Sequence, residues 1–396
     1  MTRSAVVLLT IATALTAAPR IDAQAAGMDA SRLAQIPRRM QSFVDAGAIP
    51  GAVTLVQRKG VLAALDAVGY QDLETKAPMK TDTIFQIMSM TKPVTATGIM
   101  ILMEQGLLTL NDPVERHLPE FRNLWVLEKE QNDHRELVKP TRPITIRDLL
   151  THTAGIYRWL PDWTDNFASV LRKPLSEVVL LASQQPLEFQ PGTRWQYSAS
   201  GGFAILGRII EVVSGQPYEQ FITERILQPL SMKDSFFFPP VDKRGRIASV
   251  YALQNARLVN QNSITGSLYR EGMRNPFPEG GLYSTAEDLA RFYQMFLNGG
   301  VLDGRRILSR ATVALMTANH TPGLNNSWGL GWSVVQGKAG SLTLRSEGSF
   351  GHGGAFGTQG WIDPQHQLIG VFLVQRGGAT EASSVFEQMA EAAVIE

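Results

Sequence analysis

Apolar positions recur at helical spacing near both ends of the chain, over residues 31–44 and at 385, 386, 389 and 393. These patterns predict amphipathic helices over 31–44 and 381–394. Between them lie short apolar bursts with strand character. Residues 52–58 and 61–70, separated by the turn signal Lys59-Gly60, predict an antiparallel hairpin. Residues 342–345, 357–362 and 367–375 predict further strands. Both chain ends are therefore expected to build one sheet lobe.

The middle of the chain reads differently. Residues 93–105, 146–150, 175–183, 202–213, 218–226 and 285–298 are mostly helical in period or capping. Thr145-Ile146-Arg147-Asp148 and Ser284-Thr285-Ala286-Glu287 each set a hydroxyl three residues ahead of an acid, the capping-box pattern. The expectation is one α+β domain over 26–396. Its sheet lobe comprises about 26–85 plus 300–396, and a helical lobe over about 86–299 is inserted between the two parts. The charge-rich stretch 121–142 is expected to be an exposed excursion.

Composition narrows the possibilities. Apolar residues make up 44% and charged residues 18% of the 396, which supplies a sizeable core and argues against long disordered regions. The formal charge is +1 with both signs interspersed, so nucleic acid is not an expected partner. Met1-Thr2-Arg3, the apolar run 5–18 and Ala23-Gln24-Ala25 fit a cleaved signal peptide over 1–25. The run is shorter than the ~20 residues that span a bilayer. A periplasmic or secreted protein without stable membrane association is expected. There is no cysteine, hence no disulfide and no thiol nucleophile, and the six histidines lack metal-binding spacing. No metal and no cofactor are expected; the oligomeric state is left open.

The sharpest chemical signal is Ser89-Met90-Thr91-Lys92, which follows Ile84-Phe85-Gln86-Ile87-Met88 and opens a helical pattern. Three residues along a helix return a side chain to the same face, so Lys92 lies beside Ser89. Alone, the serine could be a simple N-cap. The remainder of the chain changes that balance.

Further along stand Leu149-Leu150-Thr151-His152-Thr153-Ala154-Gly155, Pro191-Gly192 with Tyr197-Ser198, Gly280-Gly281-Leu282-Tyr283-Ser284-Thr285, and Gly351-His352-Gly353-Gly354. With Ser89 and Lys92, and in this order, they resemble the serine β-lactamase-like hydrolases, a family that includes class C β-lactamases, certain DD-peptidases and family VIII carboxylesterases. The resemblance covers nearly the whole mature chain. It implies a β-lactamase/transpeptidase-like fold, an antiparallel sheet flanked by helices with an inserted helical lobe and the active site in the cleft between them.

An alcohol is a poor nucleophile near neutral pH, so Ser89 needs a base, and Lys92 and Tyr197 are the candidates. The two titrate as a unit, which leaves the proton unassigned. The resemblance implies that Tyr197 relays the proton to the leaving group. It also implies an oxyanion hole made by the backbone amides of Ser89 and Ala355, and substrate binding by His352, Gly353 and Gly354. Two departures stand out. The family often has Asn two residues after the tyrosine, where this chain has Ala199, and β-lactamases commonly have Lys where this chain has His352. A histidine of ordinary pKa is mostly neutral at pH 7, so carboxylate binding should be weak.

His152 invites a Ser-His-Asp reading with Asp148 or Asp288, but the chain lacks a Gly-x-Ser-x-Gly elbow, and a structural histidine is expected. Trp328, Trp332 and Trp361 are candidates for an acyl pocket, although aromatic residues in strand patterns are more often core. The expected activity is hydrolysis of a small-molecule carboxylic ester through an acyl-enzyme at Ser89. The alternatives are β-lactam hydrolysis, a DD-peptidase-like penicillin-interacting enzyme, acyl transfer, and a non-catalytic ligand-binding module.

Overall fold

The computed structural model of the protein describes residues 21–157, 167–261, 272–337, 342–378 and 380–395. Most of the expected signal peptide, residues 1–20, lies outside them. The organising element is a seven-stranded sheet. Its strands are β1 Gly51–Arg58, β2 Val61–Asp72, β3 Ala77–Pro78, β4 Ser333–Val334, β5 Phe350–Gly353, β6 Gln359–Asp363 and β7 Leu368–Leu373. Their order is β4-β5-β6-β7-β1-β2-β3, and every neighbouring pair is antiparallel.

The centre of the sheet joins the two ends of the chain. Val53 pairs with Leu373 and Arg58 with Leu368, so β1 and β7 lie side by side although some three hundred residues separate them. Strand alternation then divides the interior in two. Val53, Leu55, Ile369, Val371 and Leu373 face a large core shared with the helices of the middle segment. Ala52, Val56, Leu368 and Phe372 face a smaller core, closed by the terminal helices α1 (Ile36–Asp45) and α6 (Glu381–Ala392).

Three expectations change. The helix expected over 31–44 is broken into Ala30–Leu33 and Ile36–Asp45, because Pro37 has no N–H to donate and its ring collides with the preceding turn. Residues 342–345 form no strand: Leu342 is 94% exposed, and the sheet edge is built by β4 and β5 instead. The cap expected from Ser284 and Glu287 sits one residue later, where the Thr285 hydroxyl accepts from the Asp288 N–H. The Thr145–Asp148 box forms as expected, with both reciprocal bonds.

The middle segment supplies α2 (Lys92–Glu104), α3 (Leu175–Ser183), α4 (Gly202–Ser214) and α5 (Ala286–Leu297). Helix α4 packs against α2 and α3. Helix α5, within the span expected to be helical lobe, instead crosses the inner face of the sheet against β1, β6 and β7. Residues 121–142 form a short charged hairpin, Val126–Glu130 with Arg135–Val138, whose outer half is exposed.

The smaller core is remote from the cleft. Phe386 on α6 is fully buried there, with ring centroids 5.5 Å from Trp361 and 5.8 Å from Phe372. Phe386→Ala should lower unfolding free energy by about 3–5 kcal/mol in urea titration, the usual cost of emptying an aromatic core site. Ser89 labelling by a fluorophosphonate, per folded molecule, should stay within about twofold of the parent, since the perturbation lies across the sheet from Ser89.

Candidate active site

Ser89 sits in a 3₁₀ turn, Met88–Thr91, that runs directly into α2. The residue before it, Met88, has φ 49°, a left-handed conformation that costs a non-glycine residue roughly 1–3 kcal/mol. The turn is held from behind: the Thr91 hydroxyl accepts from the Leu282 N–H, and the Ile87 N–H donates to the Leu282 carbonyl. The Gly280–Thr285 segment thus forms the floor under the serine.

Lys92 follows with no exposed surface at all. Its Nζ lies 3.3 Å from Ser89 Oγ and donates to the Glu279 carbonyl oxygen at 3.1 Å. The same nitrogen stands 4.9 Å from the centre of the Tyr197 ring and 5.5 Å from that of Phe203. Serine, lysine and tyrosine, adjacent only in part in sequence, are therefore brought to one place. The Ser89–Lys92 distance is at the long edge of the range in which proton transfer operates, as in many substrate-free sites.

Tyr197 belongs to a cluster of rings. His152 lies 4.5 Å from it, Trp328 6.0 Å, His352 6.0 Å and Trp195 6.5 Å, centroid to centroid. Of the three tryptophans considered from sequence, only Trp328 reaches this wall. Trp332 packs among Phe292, Tyr293, Phe296 and Phe350, and Trp361 fills the smaller core, where its Nε1 donates to Glu391. Trp195 was missed, though its spacing of two from Tyr197 in an extended stretch carries the signal.

The two histidines have opposite tautomers. His352 Nδ1 lies 2.7 Å from the Gly353 carbonyl, which can only accept, so Nδ1 carries the proton and Nε2 is a bare acceptor. His152 Nδ1 accepts from the Ser198 N–H at 3.1 Å, so its proton is on Nε2. Both Nε2 atoms are buried without a hydrogen-bond partner among the described residues. Burial, with the nearby Lys92 adding to it, pushes His352 down to about 3 and His152 well below the ordinary histidine value. Both rings are neutral at physiological pH. No Ser-His-Asp relay forms: Asp148 is engaged by Arg142 and Thr145, Asp288 by Ser235 and the Asp234 N–H, and neither bonds His152 among the described residues.

The third element closes the site from the sheet edge. β5 carries His352 and Gly353 and packs against the 3₁₀ turn of Ser89. A Cβ at Gly354 would collide with Thr358 Oγ1 and the Ile87 carbonyl oxygen, so only glycine lets this turn approach the nucleophile segment. The turn then presents Gly353 and Ala355, both exposed, beside the cleft. One residue was invisible in the sequence. Glu279, 1% exposed, puts its side chain against the Gly201 N–H at 2.6 Å, and burial raises its carboxyl above the usual range while Lys92 draws it back down.

The neutral His352 has a consequence for stability. An unfolded histidine takes up a proton below about pH 6.5, and the folded His352 does so only near 3. Folded-state stability is therefore unaffected above about pH 6.5 and is lost as pH falls from there, at up to about 1.4 kcal/mol per unit. His352→Gln should lose about 2 kcal/mol less than the parent between pH 7 and pH 5 in paired urea titrations. Equal acid slopes would show that the ring is already charged when folded.

Comparison with known proteins places the chain. The Beta-lactamase family model matches residues 36–394. Protein Rv1367c of Mycobacterium tuberculosis is 34% identical over 356 residues, covering 85% of this chain and 88% of that protein. Esterase EstB of Burkholderia gladioli is 28% identical over 391 residues, covering 87% and 91%. Among solved structures, EstCE1, described as a hydrolase with promiscuous acyltransferase activity, superposes with TM-score 0.75 at 26% identity, covering 93% and 99%. A sheet-edge turn, a buried lysine and a serine at one helix start are thus arranged on a shared scaffold, and the chain belongs to the Beta-lactamase family.

Proposed function

We propose that this protein hydrolyses small carboxylic esters through an acyl-enzyme on Ser89. The observation that carries the reading is the neutral His352, buried beside Tyr197 at the position where the resemblance implies substrate binding and where β-lactamases commonly have lysine. A lone pair repels a carboxylate and accepts from a hydroxyl or amide N–H. An uncharged ester needs only a nucleophile, a base and an oxyanion hole.

The steps follow from the positions of the groups. Ser89 Oγ attacks the ester carbonyl while its proton passes to the Lys92–Tyr197 couple, 3.3 Å away at Nζ. Negative charge develops on the carbonyl oxygen, where the backbone N–H groups of Ser89 and Ala355 receive it; a donor of this kind typically contributes about 3 kcal/mol. Collapse expels the alcohol, which takes the proton back through the Tyr197 hydroxyl. Water then attacks the acyl-serine by the same route in reverse and frees the acid. His352, Gly353 and Gly354 line the substrate's path, and no cofactor or metal enters the scheme. The apolar leader supports a periplasmic or secreted location, where ester would be met outside the cytoplasm.

A second reading has one observation behind it. EstCE1 is described as transferring acyl groups as well as hydrolysing, and the aromatic wall of Trp195, Tyr197 and Trp328 would favour an alcohol over water as acceptor. This adds an acceptor to the same acyl-enzyme and leaves Ser89 unchanged.

The test is kcat/KM for a short-chain nitrophenyl ester and for a chromogenic cephalosporin, measured on the protein and on Ser89→Ala. Ester turnover should exceed cephalosporin turnover by at least about a hundredfold and fall by about 10³-fold or more in the variant. A preference for the cephalosporin would overturn the ester reading, and turnover that survives Ser89→Ala would overturn the acyl-enzyme.

A further inference from the structure

Glu279 is a carboxylate in the wrong place for an ordinary surface acid. It is 1% exposed, its Oε1 accepts from the Gly201 N–H at 2.6 Å, and its Oε2 is buried with no hydrogen-bond partner among the described residues. Its own carbonyl oxygen accepts from Lys92 Nζ at 3.1 Å. A single residue therefore touches Lys92 directly and, through Gly201, the segment that leads from Tyr197 into α4.

The surrounding groups sharpen this. Gly201 heads α4 with φ 110°, a conformation open to glycine, and the Ser198 hydroxyl accepts from the next N–H, that of Gly202. Glu279 takes the Gly201 N–H from outside the segment. Ala199, three residues before the start of α4, has no polar side-chain atom to offer the lysine. The charged and titratable groups that act on the Glu279 carboxyl are Lys92 from α2 and Tyr218 from the helix Tyr218–Ile222; the tyrosine hydroxyl is held by Thr95 and kept neutral by burial. His152 and His352 are neutral, and Lys92 is the group that draws the Glu279 carboxyl back down against its burial.

We propose that Glu279 is a positioning residue for the Ser89 chemistry: its buried carboxylate fixes the Tyr197 segment through Gly201 and sets the charge balance of the Lys92–Tyr197 couple. The inference rests on the acyl-enzyme reading given above. An anion beside the couple favours its protonated form, so the couple must be brought to higher pH before it can accept the serine proton. The carboxylate thereby acts on the amine through its charge, at the cost of acid-side reactivity, while the backbone carbonyl of the same residue holds it in place. Glutamine at this position keeps the shape and an oxygen for the Gly201 N–H while removing the charge, which separates this role from simple helix capping.

The experiment is the rate of Ser89 labelling by a fluorophosphonate as a function of pH, for the full-length protein and for Glu279→Gln. The acid limb of the rate profile should move down by about one pH unit in the variant, so that it labels several-fold faster than the parent at the foot of the limb. A limb that stays put while only the plateau falls would reduce Glu279 to a cap and overturn the proposal. Failure of the parent to label at Ser89 would remove the acyl-enzyme reading itself, and this inference with it. Should Glu279→Gln not fold, reciprocity supplies the second arm. Infrared titration of buried carboxyl groups in Lys92→Met should show one that stays protonated to higher pH than in the parent, and identical titrations would overturn the coupling.

Discussion

A lysine side chain with no exposed surface is the constraint around which this molecule is arranged. An amine removed from water loses solvation worth several kcal/mol if it is charged, so its neighbours must replace what water provided. Here the Glu279 carbonyl, the Ser89 hydroxyl and the faces of Tyr197 and Phe203 do so. Each comes from a different part of the chain. The fold can satisfy Lys92 only when α2, the Gly280–Thr285 floor and the Tyr197 segment are all in register. Burial of one amine thus couples the packing of the helices to the geometry of the serine.

How much of this could be read beforehand differs from residue to residue. Ser89 and Lys92 were legible because their relation is local: a spacing of three on a helix is a geometric statement that a sequence contains. Tyr197, His352 and Ala355 were assigned by resemblance, since nothing local ties them to Ser89. Glu279 was not legible at all. A glutamate among glycines reads as a turn residue, and only the three-dimensional closure of residues 276–281 over α4 makes it a buried anion. The edge of the sheet was misplaced for a related reason. Gly351, Gly353 and Gly354 lower the strand character of 350–353, while Leu342 and Leu344 raise that of an exposed loop. Close approach to the nucleophile demanded glycine, and glycine concealed the strand.

The antiparallel pairing of β1 with β7 explains why the Ser89 turn at the head of α2 and the β5 turn meet. Closing a sheet from strands three hundred residues apart costs loop entropy that grows only slowly with length, and the two cores, one on each face, repay it. Once β7 is fixed, β6 and β5 follow by short hairpins, and His352 arrives at the sheet edge beside Ser89. The smaller core behind the sheet therefore matters for the site without touching it, by holding the strands that carry the turn at Gly353–Ala355.

The two histidines show how burial selects chemistry. Each ring could, on composition alone, be a general base or a cationic anchor. Packed against Tyr197 and Trp328 and exposed to the field of Lys92, neither can hold a proton charge, and each is reduced to a fixed dipole. Their orientations are then set by one backbone contact apiece: His152 accepts from Ser198 and keeps a donor on its buried Nε2, and His352 donates to Gly353 and keeps an acceptor on its buried Nε2. A lysine at position 352 would be a point charge that any carboxylate could find at a distance. A neutral acceptor acts only at contact and only on a group with a hydrogen to give. With a neutral ring at position 352 the long-range attraction of anions is absent, and that neutrality is enforced by the same low-dielectric enclosure that keeps Lys92 out of water.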